Sequence, residues 1–204
     1  MNTVSFNNNK ITPTKVVCIG KNYLDHIKEL KGEIPENIVI FNKPNSSVTN
    51  ELYHFETGEC HHEAEISFLI MDNKIKAVGF GLDLTKRALQ RELKSKGLPW
   101  ERAKSFDKSA VFSEFIEISE NDIENLGIEL YINGNLKQKG DYSEMINKPV
   151  KLLKEINSFM TMENGDILMT GTPKGVGEFK KGDIFSGKIL LNEKVIIEGE
   201  WVVR

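Results

Sequence analysis

The stretch "HHEAEISFLIMDNKIKAVGFGLDL", residues 61–84, decides how this chain is read. Two apolar runs flank "MDNK", a pattern that predicts a β-hairpin over 61–84. Side chains of an extended segment alternate between faces, so His61, Glu63 and Glu65 share one face while His62, Ala64 and Ile66 take the other. Asp83 ends the partner strand and brings a third carboxylate from the neighbouring segment. Two carboxylates so close repel, and an oxygen-seeking cation removes that repulsion; Mg²⁺ commonly uses one or two carboxylates and keeps several waters. Spacing alone favours a solvated edge strand, because Glu-x-Glu pairs are common on exposed faces. A zinc site from Cys60, His61 and His62 is weaker still, since adjacent strand residues point to opposite faces.

Outward from the hairpin the chain offers many strands and few helices. Strands are predicted at 14–20 and 37–44, with a short helix at 22–32 between them and a polar loop at 45–59 after them. "TKRALQRELKSKG" (85–97) is the clearest helical pattern, with Thr85 as its expected N-cap and Gly97 and Pro99 as its stop. Asn133-Gly134 marks a second hairpin. Pro149 opens a helix over 149–160, "GDILMTGTP" is a strand entering a Gly-rich turn, and strands about Asn192–Lys194 close the chain. This order predicts an α+β fold rather than a regularly alternating one.

The 204 residues suit one domain spanning 1–204, and 39% hydrophobic content suffices for a core. A net charge of -3 with scattered basic residues argues against a nucleic-acid partner. Cys18 and Cys60 lack a CxxC pattern and read as reduced thiols of a cytoplasmic protein. The start "MNTVSFNNNK" lacks the features of a signal peptide, and no apolar run reaches membrane-spanning length, so no membrane association is expected. Neither GK[ST] nor GxGxxG occurs, so no nucleotide cofactor is expected.

The blocks "IGKNYLDHIKEL", "FNKP", "HHEAE", "GFGLDLTKRALQ", "GLPWERAKSFD" and "NGDILMTGTPKGVG" occur in this order. Together, from about Lys15 to about Asp183, they resemble the fumarylacetoacetate hydrolase family, and most closely its acylpyruvase and oxaloacetate decarboxylase branch. The resemblance implies a mixed β-sheet roll, usually a homodimer, holding Mg²⁺ or Mn²⁺ on Glu63, Glu65 and Asp83. His26 and Glu29 lie three apart on the short helix, which alone reads as an ordinary surface pair. The resemblance makes them a water-activating dyad on a lid, and makes Lys104 the lysine that stabilises enolate charge. It also sets Arg87, Gln90 and Thr172 at the substrate, although a surface ion pair is a rival reading of Arg87. Lys43 reads as packing beside Pro44, with a place in the pocket lining as its alternative.

The implied reaction is hydrolysis of a C–C bond in a small pyruvoyl-containing carboxylate, an acylpyruvate, through a pyruvate enolate stabilised by the cation. Decarboxylation or tautomerisation of oxaloacetate, or isomerisation of a hydroxymuconate-type diacid, uses the same platform. A non-catalytic metal- or anion-binding protein is the reading from another class. The chain departs from its relatives in a shorter 66–82 segment, in "KSAVFSEF" after "KSFD", and in Lys21 where Arg is common; the last change loses a planar bidentate donor.

Overall fold

The structure, a computed structural model, describes residues 1–56 and 58–204. Its central feature is the predicted hairpin, formed by strands Ala64–Met71 and Lys74–Asp83. Asp72 and Asn73 make the turn with φ of 49° and 62°. Asp and Asn tolerate this left-handed region better than most residues, and two such positions twist the strands the right way. The register sets Glu65 opposite Gly81, and the Asp83 N–H donates to the Glu63 carbonyl at 2.9 Å.

The hairpin lies inside an eight-stranded sheet. Its order is Val39–Pro44, Lys15–Gly20, Ile167–Met169, Ala64–Met71, Lys74–Asp83, Ala110–Phe112 and Val48–Thr49, with Ile116–Glu117 pairing further along Lys74–Asp83. Two of the pairings are parallel, Ile167–Met169 with Lys15–Gly20 and Ala110–Phe112 with Val48–Thr49. An antiparallel four-stranded sheet, Asn135–Asp141, Leu126–Ile132, Ile184–Leu191 and Lys194–Val202, packs against one face. Gly177–Glu178, Cys60–His62 and Thr85–Lys86 form a smaller sheet at one end. The whole is the mixed, nearly closed β-roll expected of an α+β chain.

Both faces of the hairpin are covered, which is why its strands read as almost continuous apolar runs rather than clean alternation. Ile66, Phe68, Val78, Phe80 and Leu82 enter the core between the sheets with Ile128, Leu130, Phe185, Ile189 and Trp201. There Phe80 stacks on Trp201 with ring centroids 5.6 Å apart, and the missing side chain of Gly187 admits the Phe80 ring. On the other face Phe112, Phe115 and Met169 pack over Ala77, Gly79 and Gly81. A Cβ on Gly81 would lie 2.3 Å from Ser67 Oγ and 3.0 Å from Phe112.

Among the described residues four α-helices complete the fold: α1 (Leu24–Glu29), α2 (Arg87–Ser95), α3 (Glu101–Lys104) and α4 (Pro149–Asn157). Pro149 opens α4, whose Leu152, Leu153 and Ile156 are buried, while Val150 faces solvent. Thr85 does not cap α2. It belongs to the short strand pairing with Cys60–His62, and α2 begins two residues later with no side-chain cap. The stretch predicted as loop at 45–59 contains a 3-10 turn at Asn45–Ser47 and the edge strand Val48–Thr49. Thr57, within the same stretch, lies outside the described residues. Among those residues no helix is long and apolar enough to cross a membrane.

Candidate active site

The hairpin's open end gathers the three carboxylates. Glu63 sits where the chain passes from Cys60–His62 into Ala64–Met71, Glu65 follows on that strand, and Asp83 is the last residue of its partner. All three are buried, and one oxygen from each lies within 4.8 Å of the others.

Three buried cations surround them. Lys104, at the end of α3, donates to Glu63 at 2.7 Å, to Asp83 at 2.5 Å and to the Thr85 hydroxyl at 2.7 Å. Arg87, the first residue of α2, pairs with Glu63 and donates to Gln90 Oε1 at 2.8 Å. Arg87 is therefore buried and turned inward to the cavity, against the rival reading of a surface ion pair. Lys43 is fully buried and donates to the carbonyls of Leu84, Lys104 and Ser109 and to the Ser109 hydroxyl. Its Nζ also lies 2.8 Å from Asp83 Oδ1. Packing beside Pro44 understates this residue, which meets Asp83 without itself lining the cavity.

The "TGTP" turn holds the hairpin from the side. The Gly171 N–H donates to Glu65 Oε2 at 2.7 Å, and the Thr172 hydroxyl donates to the Ala64 carbonyl at 2.9 Å. Gln138, buried and not singled out by the sequence, ties these parts together. Its amide nitrogen donates to Thr172 Oγ1 and the Pro173 carbonyl, each at 2.8 Å, while its oxygen accepts from the Ala64 N–H at 3.0 Å. His62 Nδ1 also lies 3.0 Å from that oxygen. Gln138 and Gly140 alternate inward on a strand whose other residues are exposed, and that spacing is the sequence signal for Gln138.

His26 and Glu29 meet on α1, with Nδ1 3.1 Å from Oε2. The other oxygen of Glu29 accepts from the Gly175 N–H at 3.0 Å, and Lys174 pairs with Asp25 at 2.9 Å, so α1 is docked on the same turn. His26, Glu63, Glu65, Asp83, Arg87, Gln90, Lys104 and Thr172 all line one cavity of about 430 Å³; Glu29 stands behind His26. Strand alternation turns His61 away from the face shared by Cys60 and His62. His61 Nε2 lies 2.8 Å from Glu59, His62 faces Gln138 and Phe185, and Cys60 is a buried free thiol. Glu59, His61 and Glu178 form a second cluster, but Glu59 is already paired with Arg91 at 2.5 Å.

The electrostatics divide the carboxylates. Burial pushes Glu63 upward, but Lys104, Arg87 and His26 outweigh it and hold its carboxyl well below the ordinary range. Burial, then Asp83 and Glu63, drive Glu65 well above that range, because no cation pairs with it directly. Burial disfavours the Lys104 ammonium, yet Asp83 and Glu63 raise its pKa above the usual lysine value, so it stays charged. Burial lowers His26 against the opposing pull of Glu63 and Glu29, which leaves it a neutral proton acceptor at pH 7. Among the described residues Asp83 Oδ1 accepts no aligned hydrogen bond and is met only by the Lys43 ammonium. A buried carboxylate without a cation of its own and three converging carboxylate oxygens fit a hard divalent cation such as Mg²⁺ or Mn²⁺.

A mixed β-roll with buried acids, fixed cations and an imidazole around one cavity defines an enzyme of metal-assisted carbonyl chemistry. The fumarylacetoacetate (FAA) hydrolase C-terminal profile matches residues 15–199, and the chain belongs to this family, in its acylpyruvase and oxaloacetate tautomerase branch. It is a metal-dependent enzyme acting on ketonic C–C bonds. The chain is 38% identical over 187 residues to the oxaloacetate tautomerase YcgM of Escherichia coli, covering 83% of this chain and 85% of that one. A fumarylacetoacetate isomerase/hydrolase-like protein of Oleispira antarctica superposes with a TM-score of 0.95 at 35% identity, over 100% of both chains. The fumarylpyruvate hydrolase of Pseudomonas aeruginosa, solved with Mn²⁺ and pyruvate, superposes with a TM-score of 0.88 at 25% identity, covering 99% of this chain and 95% of that one.

Proposed function

We propose that the chain catalyses keto–enol exchange of a short 2-oxo acid of the oxaloacetate type. Glu63, Glu65 and Asp83 hold the divalent cation, and His26 moves the proton. The observation that supports this reading best is the convergence of a neutral imidazole, fixed cations and three carboxylates on one cavity of about 430 Å³. When bound, the cation supplies Lewis acidity at a keto oxygen and, because Lys43, Lys104 and Arg87 already balance three carboxylates, two surplus positive charges for the substrate carboxylate and a developing enolate.

His26 takes the proton from C3 of the keto acid, and Glu29 orients the ring and stabilises the imidazolium that results. That proton returns to the oxygen, so exchange consumes nothing. Lys104 stays charged and stabilises the negative oxygen without giving up its own proton. Arg87 and Gln90, already joined to each other, orient the substrate carboxylate, and Thr172 borders it. Loss of CO₂ from the same acid needs only the enolate-stabilising half of this apparatus.

Hydrolysis of an acylpyruvate is the second reading, favoured by the likeness to the fumarylpyruvate hydrolase. There His26 would activate a water instead of removing a C–H proton. The test follows the ultraviolet absorbance of enol-oxaloacetate and of acetylpyruvate with Mg²⁺ and with chelator, using wild type, Glu63→Gln and His26→Ala. The proposal expects enol-oxaloacetate to exchange far above the buffer rate, with loss of that excess in chelator and in both variants. Exchange at the buffer rate overturns it, and rapid cleavage of acetylpyruvate by the same sample installs the second reading. The homodimer belongs to this proposal and is tested by analytical ultracentrifugation.

A further inference from the structure

Five cationic side chains line the cavity: Lys21, Arg87, Arg91, Lys94 and Lys104. Four of them are engaged. Lys104 and Arg87 serve the carboxylates, Arg91 pairs with Glu59, and Lys21 donates to the Glu33 carbonyl at 3.2 Å. Lys94 is different. Its Nζ stands 4.4 Å from the centroid of the Trp100 ring, and among the described residues it makes no hydrogen bond and no ion pair.

Its position follows from helix geometry. Arg87, Gln90, Arg91 and Lys94 fall at i, i+3, i+4 and i+7 of α2, so one stripe of that helix faces the cavity. Arg87 and Gln90 are buried at the deep end, while Lys94 lies about 10 Å further along the axis at the exposed mouth. Partial burial pushes its ammonium down to about 8, with Lys104 and Arg87 adding like-charge repulsion. The charged form is therefore held beside an aromatic face, close to other cations and without a counter-ion, until an anion arrives.

We propose that Lys94 is the specificity-determining residue for a second carboxylate, borne on the far end of the substrate from the pyruvoyl group. This inference rests on the function proposed above and adds the residue that selects a 2-oxo acid with a charged tail over an acylpyruvate with an uncharged one. The arrangement is an electrostatic ruler. The pyruvoyl end is held at the carboxylate cluster, and Lys94 accepts only a tail that carries charge to the mouth.

Pyruvate is oxaloacetate without its distal carboxylate, so the ratio of their dissociation constants isolates the interaction. Calorimetric titration of both into the Mg²⁺-loaded full chain is expected to favour oxaloacetate by about fivefold to tenfold, the range for a partly solvated charge-assisted contact. Lys94→Met should bring that ratio close to one with pyruvate and Mg²⁺ affinities unchanged, and Lys94→Arg should retain most of it. A ratio unchanged in Lys94→Met, or one that collapses in Lys21→Met instead, overturns the assignment while leaving the proposed function standing. Equal binding of the two acids by wild type also overturns it alone. If neither acid binds the Mg²⁺-loaded protein, the proposed function falls as well.

Discussion

Lys104→Met tests the electrostatics of the cluster without reference to turnover. The ammonium is 3% exposed and makes three short contacts, two of them to carboxylates that are themselves buried. Removing one partner of a buried ion group typically costs about 3–5 kcal/mol, because it leaves charge uncompensated. Methionine is close to lysine in volume, so packing adds less than about 1.5 kcal/mol. For a chain of this length each kcal/mol lowers the melting temperature by about 2–4 °C, so the variant should melt about 6–20 °C below wild type in chelator. Saturating Mg²⁺ should narrow that gap, because the cation then meets carboxylates that no longer share an ammonium. Urea unfolding followed by circular dichroism, in chelator and with Mg²⁺, gives both numbers. A variant within about 1 kcal/mol of wild type in chelator would refute the charge accounting. A gap that Mg²⁺ leaves unchanged would refute the claim that metal and ammonium serve the same carboxylates.

Three further outcomes are expected. Burial holds His62 down to about 4, so the unfolded chain takes up a proton that the folded one refuses below about pH 6.5. That stability, about 3 kcal/mol, is complete above pH 6.5 and is lost as pH falls toward 4; urea midpoints across this window should slope in wild type and flatten in His62→Asn. Gly187→Ala drives a methyl to within 2.5 Å of the Phe80 ring, which Trp201 backs, and should lower the urea midpoint by about 1–3 kcal/mol with the turnover of the folded fraction unchanged. His26→Ala should slow enol exchange by about 10²–10⁴-fold. Burial lowers the His26 pKa and the Glu29 hydrogen bond raises it, so the acid limb of the rate profile should lie below pH 6.5 in wild type and lower still in Glu29→Gln.

The gathering of Glu63, Glu65 and Asp83 was legible because it depends on two local rules, strand alternation and a turn that sets the register. His26 beside Glu29 was legible for the same kind of reason, a spacing of three on a helix. The polar surroundings of Lys43 are not legible, because they are built from three carbonyls distant in sequence and nothing beside Pro44 announces them. Arg87 was ambiguous on charge alone, since Glu63 and Glu92 are equally acidic in sequence and only the turn into α2 decides between them. Thr85 carries the residue type of an N-cap, but pairing with His61 draws it into a sheet, and tertiary contact outweighs a capping preference of about 1 kcal/mol. Gln138 lies on a strand whose composition reads as solvent-facing throughout, and its role depends on Thr172, 34 residues away.

Glu29 divides its two oxygens between the ring of His26 and the backbone of Gly175. That division constrains how such an enzyme diversifies. A change in the "TGTPKGVG" segment that moves Gly175 also reorients the imidazole, so the segment and His26 drift together or not at all. Neighbours at the rim such as Leu30, Val39 and Lys94 carry no such double duty, and they are where a lineage is free to acquire new substrates while the His26–Glu29 pair stays as it is.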